Sequence, residues 1–502
     1  MELLTTTYKE KISGTLDCYD RIVLTGTIPE ICHSRGMTTY LYQNKIKIFD
    51  YAKFAEPLRE RIRENTEELI SKNDVEMEFV SKSHIRKESL VAKKLEQRGH
   101  HNGLVHIIAA MEACPSYRPW HDKGNGKTFL KGSTSKCLHY YFYFMDEYLG
   151  LGYVRVPTWC PFRLQVYFNG HGILKNQLDQ QGIGYTMIDN AFDSIEDWDR
   201  AQELADDIEV DKIHSRLDYY ARMFCPVVHE QFGQVYHWSI MQAERATDIV
   251  FKKQEDLQQI YGDLIKTAIH TVKPDNIATF LGKKLDPRYK GEVGNNYNIR
   301  IEGSRIKHTM GINSIKMYDK FSKILRIETT TNDVSFFKHY RKVEHKDGTS
   351  SKQMAGMKKN IYSLRPLKDI LKASNKRYLE FISGIENKSA GQKRLKKVTE
   401  PKKQNNRNYS GFNFFSKKDL SVLLVMLRGE FNISGFQNKN LRKYLPDKSP
   451  GQISRLLKRL HVHGLIKKVQ NTYKYYLTKL GKEVLLTALK LKQTIIIPSL
   501  NY

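Results

Sequence analysis

Cysteine is scarce in this chain: six in 502 residues, at positions 18, 32, 114, 137, 160 and 225, with no Cys-x-x-Cys pair. That scarcity argues against a disulfide framework or a cysteine-rich zinc site, and it fits a reducing cytoplasm. No run of 18 apolar residues occurs, so no membrane span is expected. Met1 to Lys9 lack a basic stretch followed by an apolar one, so no secretory signal is expected either. There is no repeat of fixed period, and no His-hydrophobe-His metal pair occurs before residue 461. The GNGK at 124–127 lacks the spacing of a phosphate loop and reads as a hairpin tip. His100, His101, His106, His121 and His139 fall close together, but their spacing to Cys114 and Cys137 fits no standard zinc site, so they read as structural. Acidic residues are also in deficit, 55 against 82 Lys and Arg, for a net charge of +27. A balance that basic points to a polyanionic partner, nucleic acid first.

What is present is ample core material. Hydrophobic residues make up 40% and aromatics 11%, which excludes general disorder. The length allows roughly three to four domains. The predicted fold class is α+β, a large mixed part with a mainly antiparallel sheet, then a basic linker and a small helical domain. Residues 12–31 predict a strand, 39–73 and 84–98 helices. Aromatic and β-branched runs from Leu104 to Gly170 predict hairpins, with 121–136 as a polar Gly-rich separator. Residues 195–222 and 239–271 predict helices, 299–308, 314–319 and 324–330 strands, and 354–383 a charged helix. Residues 386–411 hold eight Lys or Arg and two Glu with few apolar residues, the composition of a basic linker. The expected division is therefore 1–100, 101–385, 386–411 and 412–492. Aromatics interleave with basic residues around Trp120 and Trp159. Base stacking is one use for them, and a half-buried strand face is the commoner one.

The C-terminal part carries the clearest pattern. Residues 416–427 and 435–446 predict two helices, with Ser416 as N-cap of the first. Ser449-Pro450 opens a third helix with Ser as N-cap and Pro at the first helical position, and Gly464 closes it. Two short strands around Gln470-Asn471 and a last helix from Lys479 follow. Fifteen Lys or Arg stand against three Asp or Glu between 416 and 482. This order, with His463-Gly464-Leu465-Ile466 before the hairpin, resembles the winged helix-turn-helix of bacterial regulators of the MarR and ArsR type. The resemblance implies that the third helix enters a DNA major groove and the hairpin tip meets the backbone. It makes Gln452, Ser454, Arg455 and Arg459 candidates for base contacts, and Lys458, Lys474 and Asn471 for phosphates.

Residues 304–330 are the candidate site for chemistry. An even-sum hairpin register pairs Tyr318 with Arg326 and Lys316 with Glu328, placing Lys, Tyr, Arg and Glu on one sheet face, with Arg305 and Lys307 joining from the preceding strand. Arg305, Lys307, Lys316 and Arg326 are thus candidate nucleic-acid-binding residues. The same residues form a plain cross-strand salt bridge, Lys316–Glu328, beside a satisfied Tyr318. The Lys-x-Tyr-Asp-Lys and Arg-x-Glu strands resemble a fragment of rolling-circle plasmid replication initiators and related relaxases. That resemblance implies metal-dependent nicking of single-stranded DNA, with a carboxylate on Mg²⁺ or Mn²⁺ and a Tyr nucleophile, for which Tyr318 is the matching residue. Asp20 flanks the first strand as the first Asp does in RNase H-like nucleases, and Glu244 and Asp248 sit four apart on a predicted helix face. Asp20, Glu244, Asp248 and Glu328 are thus the candidate catalytic carboxylates and metal ligands. Each alone is the ordinary furniture of a turn or a solvated face, and their meeting in space is the test.

Over its whole length the chain resembles a group of uncharacterised bacterial proteins of about 500 residues that end in a MarR-like winged helix, on Tyr19-Asp20-Arg21, Thr158-Trp159-Cys160-Pro161-Phe162, Ala246-Thr247-Asp248, Lys316 to Lys320 and His463 to Ile466. The expectation is a cytoplasmic nucleic-acid-binding protein of a mobile genetic element that nicks or transfers a DNA strand. The alternatives are a non-catalytic winged-helix regulator, whose first part senses a ligand or forms a homodimer, and a structured-RNA-binding protein.

Overall fold

The computed structural model describes residues 2–81, 87–99, 102–285, 288–300, 303–383, 397–428, 431, 435–470 and 472–491. The protein is a mixed α+β fold organised on one large sheet. In chain order its strands are β1 (Ile12–Thr27), β2 (Met77–Phe79), β3 (Gly103–Asp122), β4 (Lys127–Asp146), β5 (Gly150–Pro157) and β6 (Leu164–Phe168). A separate small hairpin follows, β7 (Tyr185–Ile188) and β8 (Ala191–Ile195). The large sheet resumes with β9 (His237–Phe251), β10 (Val293–Arg300), β11 (Gly303–Met310), β12 (Asn313–Lys320) and β13 (Ile324–Thr331). Spatial order is β10-β11-β12-β13-β9-β1-β6-β5-β4-β3-β2. The short β2 runs parallel to β3, and the other neighbours are antiparallel.

Alternation along the strands divides the two faces. Ile315, Met317, Leu325 and Ile327 point into the main core, which also takes Leu58 and Ile62 of helix Tyr51–Asn73, Leu217 and Phe224 of helix Val210–Phe224, and Leu371 and Leu379 of helix Leu364–Ser383. The residues between them on β12 and β13, Lys316, Tyr318, Arg326 and Glu328, therefore point to the other face.

Strand β1 changes face along its length. It pairs Cys18 with Ala246 and Tyr19 with Arg245, and then Arg21 with Glu244, so Asp20 is an extra residue in a bulge. Before the bulge the even residues Leu16 and Cys18 join a small cluster with Leu174, Leu178, Phe192 and Ala201. Beyond it the even residues Ile22 and Leu24 join the main core, where odd-numbered Tyr19 already lies. A one-residue offset inverts the pattern, as the period of two requires. Helix Trp198–Asp206 lies along the β1 edge that β6 leaves free, and Gln202 bonds the main-chain N and O of Asp17 at 2.8 and 3.0 Å.

Two more hairpins follow the sheet, β14 (Lys338–Glu344) with β15 (Ser350–Gly356), and β16 (Lys402–Gln404) with β17 (Arg407–Tyr409). The C-terminal part has helices Lys417–Met426, Asn438–Arg442 and Pro450–Val462, the hairpin β18 (Ile466–Lys468) and β19 (Tyr475–Leu477), and helix Lys479–Leu491. These share a cluster of their own that includes Phe412, Leu423, Leu441, Leu457 and Leu485. Ser449 caps the helix before Pro450 as expected, in a capping box with Gln452, and Gly464 has φ +75°. Ser416 precedes its helix without a side-chain cap.

Several expectations are corrected. Residues 239–271 are not one helix: β9 runs to Phe251 and helix Gln254–Thr271 follows. Met241, Gln242, Ala243 and Glu244 favour helix locally, but β1 and β13 hydrogen-bond both edges of this segment, and tertiary context overrides propensity. The helix expected from 354 begins at Leu364, because residues to Gly356 complete β15. The polar stretch 121–136 is strand except for a turn at 123–126. Segments 1–100 and 101–385 share one sheet, with β1 between β9 and β6. The basic segment 386–411 contains β16 and β17, and Val398 is buried in the C-terminal cluster; residues 386–396 lie outside the described residues. Among the described residues no helix is long and apolar enough to cross a membrane.

Candidate metal centre

Asp20, Glu244 and Glu328 each offer a carboxylate oxygen within 4.8 Å of the others. They come from β1, β9 and β13, three adjacent strands in the sheet centre. Each is brought there by a simple device. The bulge turns Asp20 toward the Glu244 position. The strand period puts Glu244 and Asp248 on one face, with the small Ala246 between them and opposite Glu328. Glu328 is 2% exposed and forms the floor, while Asp20 and Glu244 at 8% and 9% reach the rim.

The surrounding groups hold these carboxylates in different states. Lys316 Nζ bonds Glu328 and lies 3.7 Å from Glu244. Tyr318 donates its hydroxyl to Glu328 at 2.8 Å. Burial alone would raise the Glu328 carboxyl, but Lys316 and the hydrogen bonds hold it below its ordinary value. Burial and the neighbouring Glu328 charge push Glu244 up to about 7. For Asp20, burial is outweighed by the Arg326 guanidinium and His171, which keep it well below the carboxylate range. Asn190 and Asn169 donate to Asp20 at 3.0 and 3.4 Å. Burial and Glu328 push the Tyr318 phenol well above its usual value. Lys316 and Arg326 pair with these carboxylates directly, and Lys307 and Lys320 add positive charge beside them. The clustered carboxylate oxygens are hard ligands of the kind a divalent cation takes.

Of the four predicted metal ligands, three converge and one is committed elsewhere. Asp248 accepts two bonds of 2.6 Å from Arg326. Arg326 is fully buried, with its Nη1 3.4 Å from Asp20. It positions carboxylates and cannot reach a nucleic-acid backbone, which corrects its assignment as a binding residue. The predicted register of Tyr318 with Arg326 and Lys316 with Glu328 is the one observed. Arg305 and Lys307 pair with Tyr318 and Lys316 on the next strand, on the same face. Burial, Lys316 and Arg305 press the Lys307 ammonium below its ordinary range, as happens where cations gather without enough counter-charge.

Sequence reasoning missed the residues that approach from outside the sheet. His171 Nδ1 is 3.3 Å from Asp20 and its Nε2 is 3.9 Å from Asp248. It sits in the first turn of helix Gly170–Gln181, where Asn169 caps the chain. A Cβ at Gly170 would lie 2.3 Å from the Tyr19 carbonyl oxygen, so only glycine lets this helix start so close to β1. Asn190, in the β7–β8 turn, bonds both Asp20 and Lys320. No local motif marks these residues. The single usable signal was Asn-Gly-His-Gly after a strand, a capping pattern.

In the C-terminal part, Gln452, Ser454, Arg455 and Lys458 are exposed on helix Pro450–Val462. Gln452 caps Ser449 and Ser454 accepts from Asn438 at 2.8 Å. Arg459 is corrected: its guanidinium forms a two-toothed pair with Asp419 at 2.9 Å, bonds the Ser410 and Gly411 carbonyls and lies over Phe412, so it holds the fold together and is not free for bases. Lys474 is half-buried, and Asn471 lies outside the described residues. No family model matches the chain, and neither the curated proteins nor the solved structures contain a significant match.

Proposed function

We propose that this protein binds nucleic acid and cuts or transfers a DNA strand at the Asp20–Glu244–Glu328 cluster, with Mg²⁺ or Mn²⁺ as cofactor. The observation that carries the reading is the convergence of those three carboxylates within 4.8 Å, on a sheet face that also presents Arg305 and Lys307. Bound there, a divalent cation would supply Lewis-acid charge to a phosphodiester. The chain's own residues divide the remaining work. Lys307 and Arg305 hold the phosphate, Asp248 and Arg326 fix Asp20, and Glu328 accepts the Tyr318 proton. The Tyr318 oxygen then attacks phosphorus, the phosphorus–oxygen bond to the sugar breaks, and the leaving sugar oxygen takes a proton from water. The order of helices and hairpin after residue 412 supports reading that part as a winged helix, with Gln452, Ser454, Arg455 and Lys458 toward DNA. Site recognition coupled to strand transfer is what a mobile genetic element requires.

One observation favours a non-catalytic regulator instead. Lys316 already neutralises Glu328 and approaches Glu244, which is the role a cation would have. A denaturing gel separates the two readings, using labelled single- and double-stranded DNA and RNA, with Mn²⁺ or Mg²⁺, and wild type beside Glu328→Gln. The expected result is a cut product or covalent adduct on DNA that needs the metal and vanishes in the variant. Binding without cleavage on every substrate would sink the catalytic assignment, and preference for folded RNA would move the protein to the RNA-binding class.

A further inference from the structure

Among the described residues the hairpin β14–β15 stands apart from every hydrophobic cluster. Its root is anchored, with Phe337 and Met357 buried in the main core and joined by a Met357 N to Phe337 O bond of 2.9 Å. Beyond the root, Tyr340, Val343 and Met354 join no cluster. The ribbon packs outside itself mainly on the short helix Val334–Phe336. A two-stranded ribbon without a covering layer is marginal in water.

Its outward face has an unusual composition. Lys338, Tyr340, Lys342 and, toward the tip, Glu344 alternate along β14 with exposed side chains. Tyr340 lies directly opposite Met354, and Lys342 directly opposite Lys352. Tyr340 is 65% and Met354 60% exposed. Like charges set directly across a ladder repel and destabilise it. Among the described residues none of Lys338, Lys342 and Lys352 has a carboxylate partner. At the root, burial and Lys338 also depress the Lys283 ammonium. Arg341 on the other face is different, being tied to the Gly356 carbonyl at 2.9 Å.

We propose that β14–β15 is an arm that enters the major groove of duplex DNA, with Lys338, Lys342 and Lys352 on phosphates and the Tyr340–Met354 pair against base edges. The inference rests on the nucleic-acid reading above but involves none of the residues of the carboxylate cluster. A polyanion is the partner that turns the Lys342–Lys352 repulsion into attraction. Seven paired residues at about 3.3 Å make a ribbon of roughly 23 Å, and the B-form major groove, about 12 Å wide, admits a two-stranded ribbon. The deep, narrow major groove of duplex RNA does not. Apolar contact suits a thymine methyl group, which gives the exposed Tyr340 and Met354 a use.

The test is the salt dependence of duplex binding, measured on the full chain in EDTA, so that cleavage plays no part. The double substitution Lys342→Ser, Lys352→Ser removes two exposed side chains, and a thermal melt checks that the fold is retained. Each lost phosphate contact lowers the slope of log K against log salt by about 0.9, so the expected fall is about 2, with affinity reduced more than tenfold at 50 mM salt. Tyr340→Ala is expected to weaken binding with the slope unchanged. If wild type binds duplex DNA and the double variant shows the same slope, the arm is overturned while the nucleic-acid reading stands. If wild type binds no nucleic acid at 50 mM salt, that reading falls and takes the arm with it. Equal loss on duplex RNA would overturn the groove assignment.

Discussion

Glu244 and Arg245 are chain neighbours on β9 and point to opposite faces of the sheet. On the core face Arg245 is fully buried, bonds Asp17, and reaches Asp206 at 2.8 Å. Thr247 donates to Asp17 at 2.5 Å, Asn375 donates to the Arg245 carbonyl at 3.0 Å, and Lys372 closes on Asp206 at 2.9 Å. There two carboxylates face two or more cations, and helices Trp198–Asp206 and Leu364–Ser383 are tied to the strand. On the other face three carboxylates crowd together, Glu244 shares its surroundings with Glu328, and two of the acids touch solvent. Both faces bury charge. Burial therefore distinguishes nothing here; like charges crowded together with a path to water do.

The contrast can be broken at its strongest point first. Arg245→Met leaves Asp17 buried without its partner and should cost about 3–5 kcal/mol of stability, read by urea denaturation. A loss below about 1 kcal/mol would remove the structural assignment of that face. Glu328→Gln should do the reverse. Metal-dependent cleavage should drop at least ~100-fold, the lower end for losing an acid–base group. The stability loss should be smaller than for Arg245→Met, because Lys316 keeps Glu244 as a neighbour.

The pH dependence sharpens the difference further. Glu244 holds its proton up to about 7, so Mn²⁺ affinity should rise with pH to that point and then level off. Glu244→Gln should flatten the profile, and calorimetric titration from pH 5.5 to 8.5 would show it. Linkage sets the sign for stability as well. This carboxyl's folded value lies above its ordinary value of 4.5, so the folded state binds the proton more tightly. The penalty for ionising it builds as pH rises from 4.5 to about 7. Glu244→Gln should accordingly melt higher than wild type at pH 8 and no higher at pH 4. The smallest expected effect belongs to Lys307→Ala, which should lower the salt slope of DNA binding by about 1 and leave the melting temperature unchanged.

The hairpin half of the cluster was legible in the sequence, because one short loop fixes the β12–β13 register and so pairs Lys316 with Glu328. The other half was not. Glu244 sits among residues that favour helix, and its strand exists only because β1 and β13 flank it. Asp20 depends on a bulge that no residue preference announces. Arg459 looked like a groove-facing arginine until its partner Asp419, forty residues earlier, came into place. Among the described residues its neighbours Arg455 and Lys458 have no such partner, and they stay exposed. What sequence periodicity conveys is which side chains share a face of one element. It does not convey which elements lie side by side, and the carboxylate cluster is a statement about three of them.

The β1 bulge makes the gene itself forgiving at one place. Loss of a single codon at position 20 or 21 would restore strict alternation through the strand, with Tyr19, Ile22 and Leu24 still on the core face and Val23 on the other. A one-codon deletion elsewhere in the strand, at Val23 for example, exchanges inside for outside over the residues beyond it. A codon-by-codon deletion scan of β1 should therefore find its mildest loss of folded protein at the bulge, and removal of codon 20 would take the Asp20 carboxylate away while the strand stays in place.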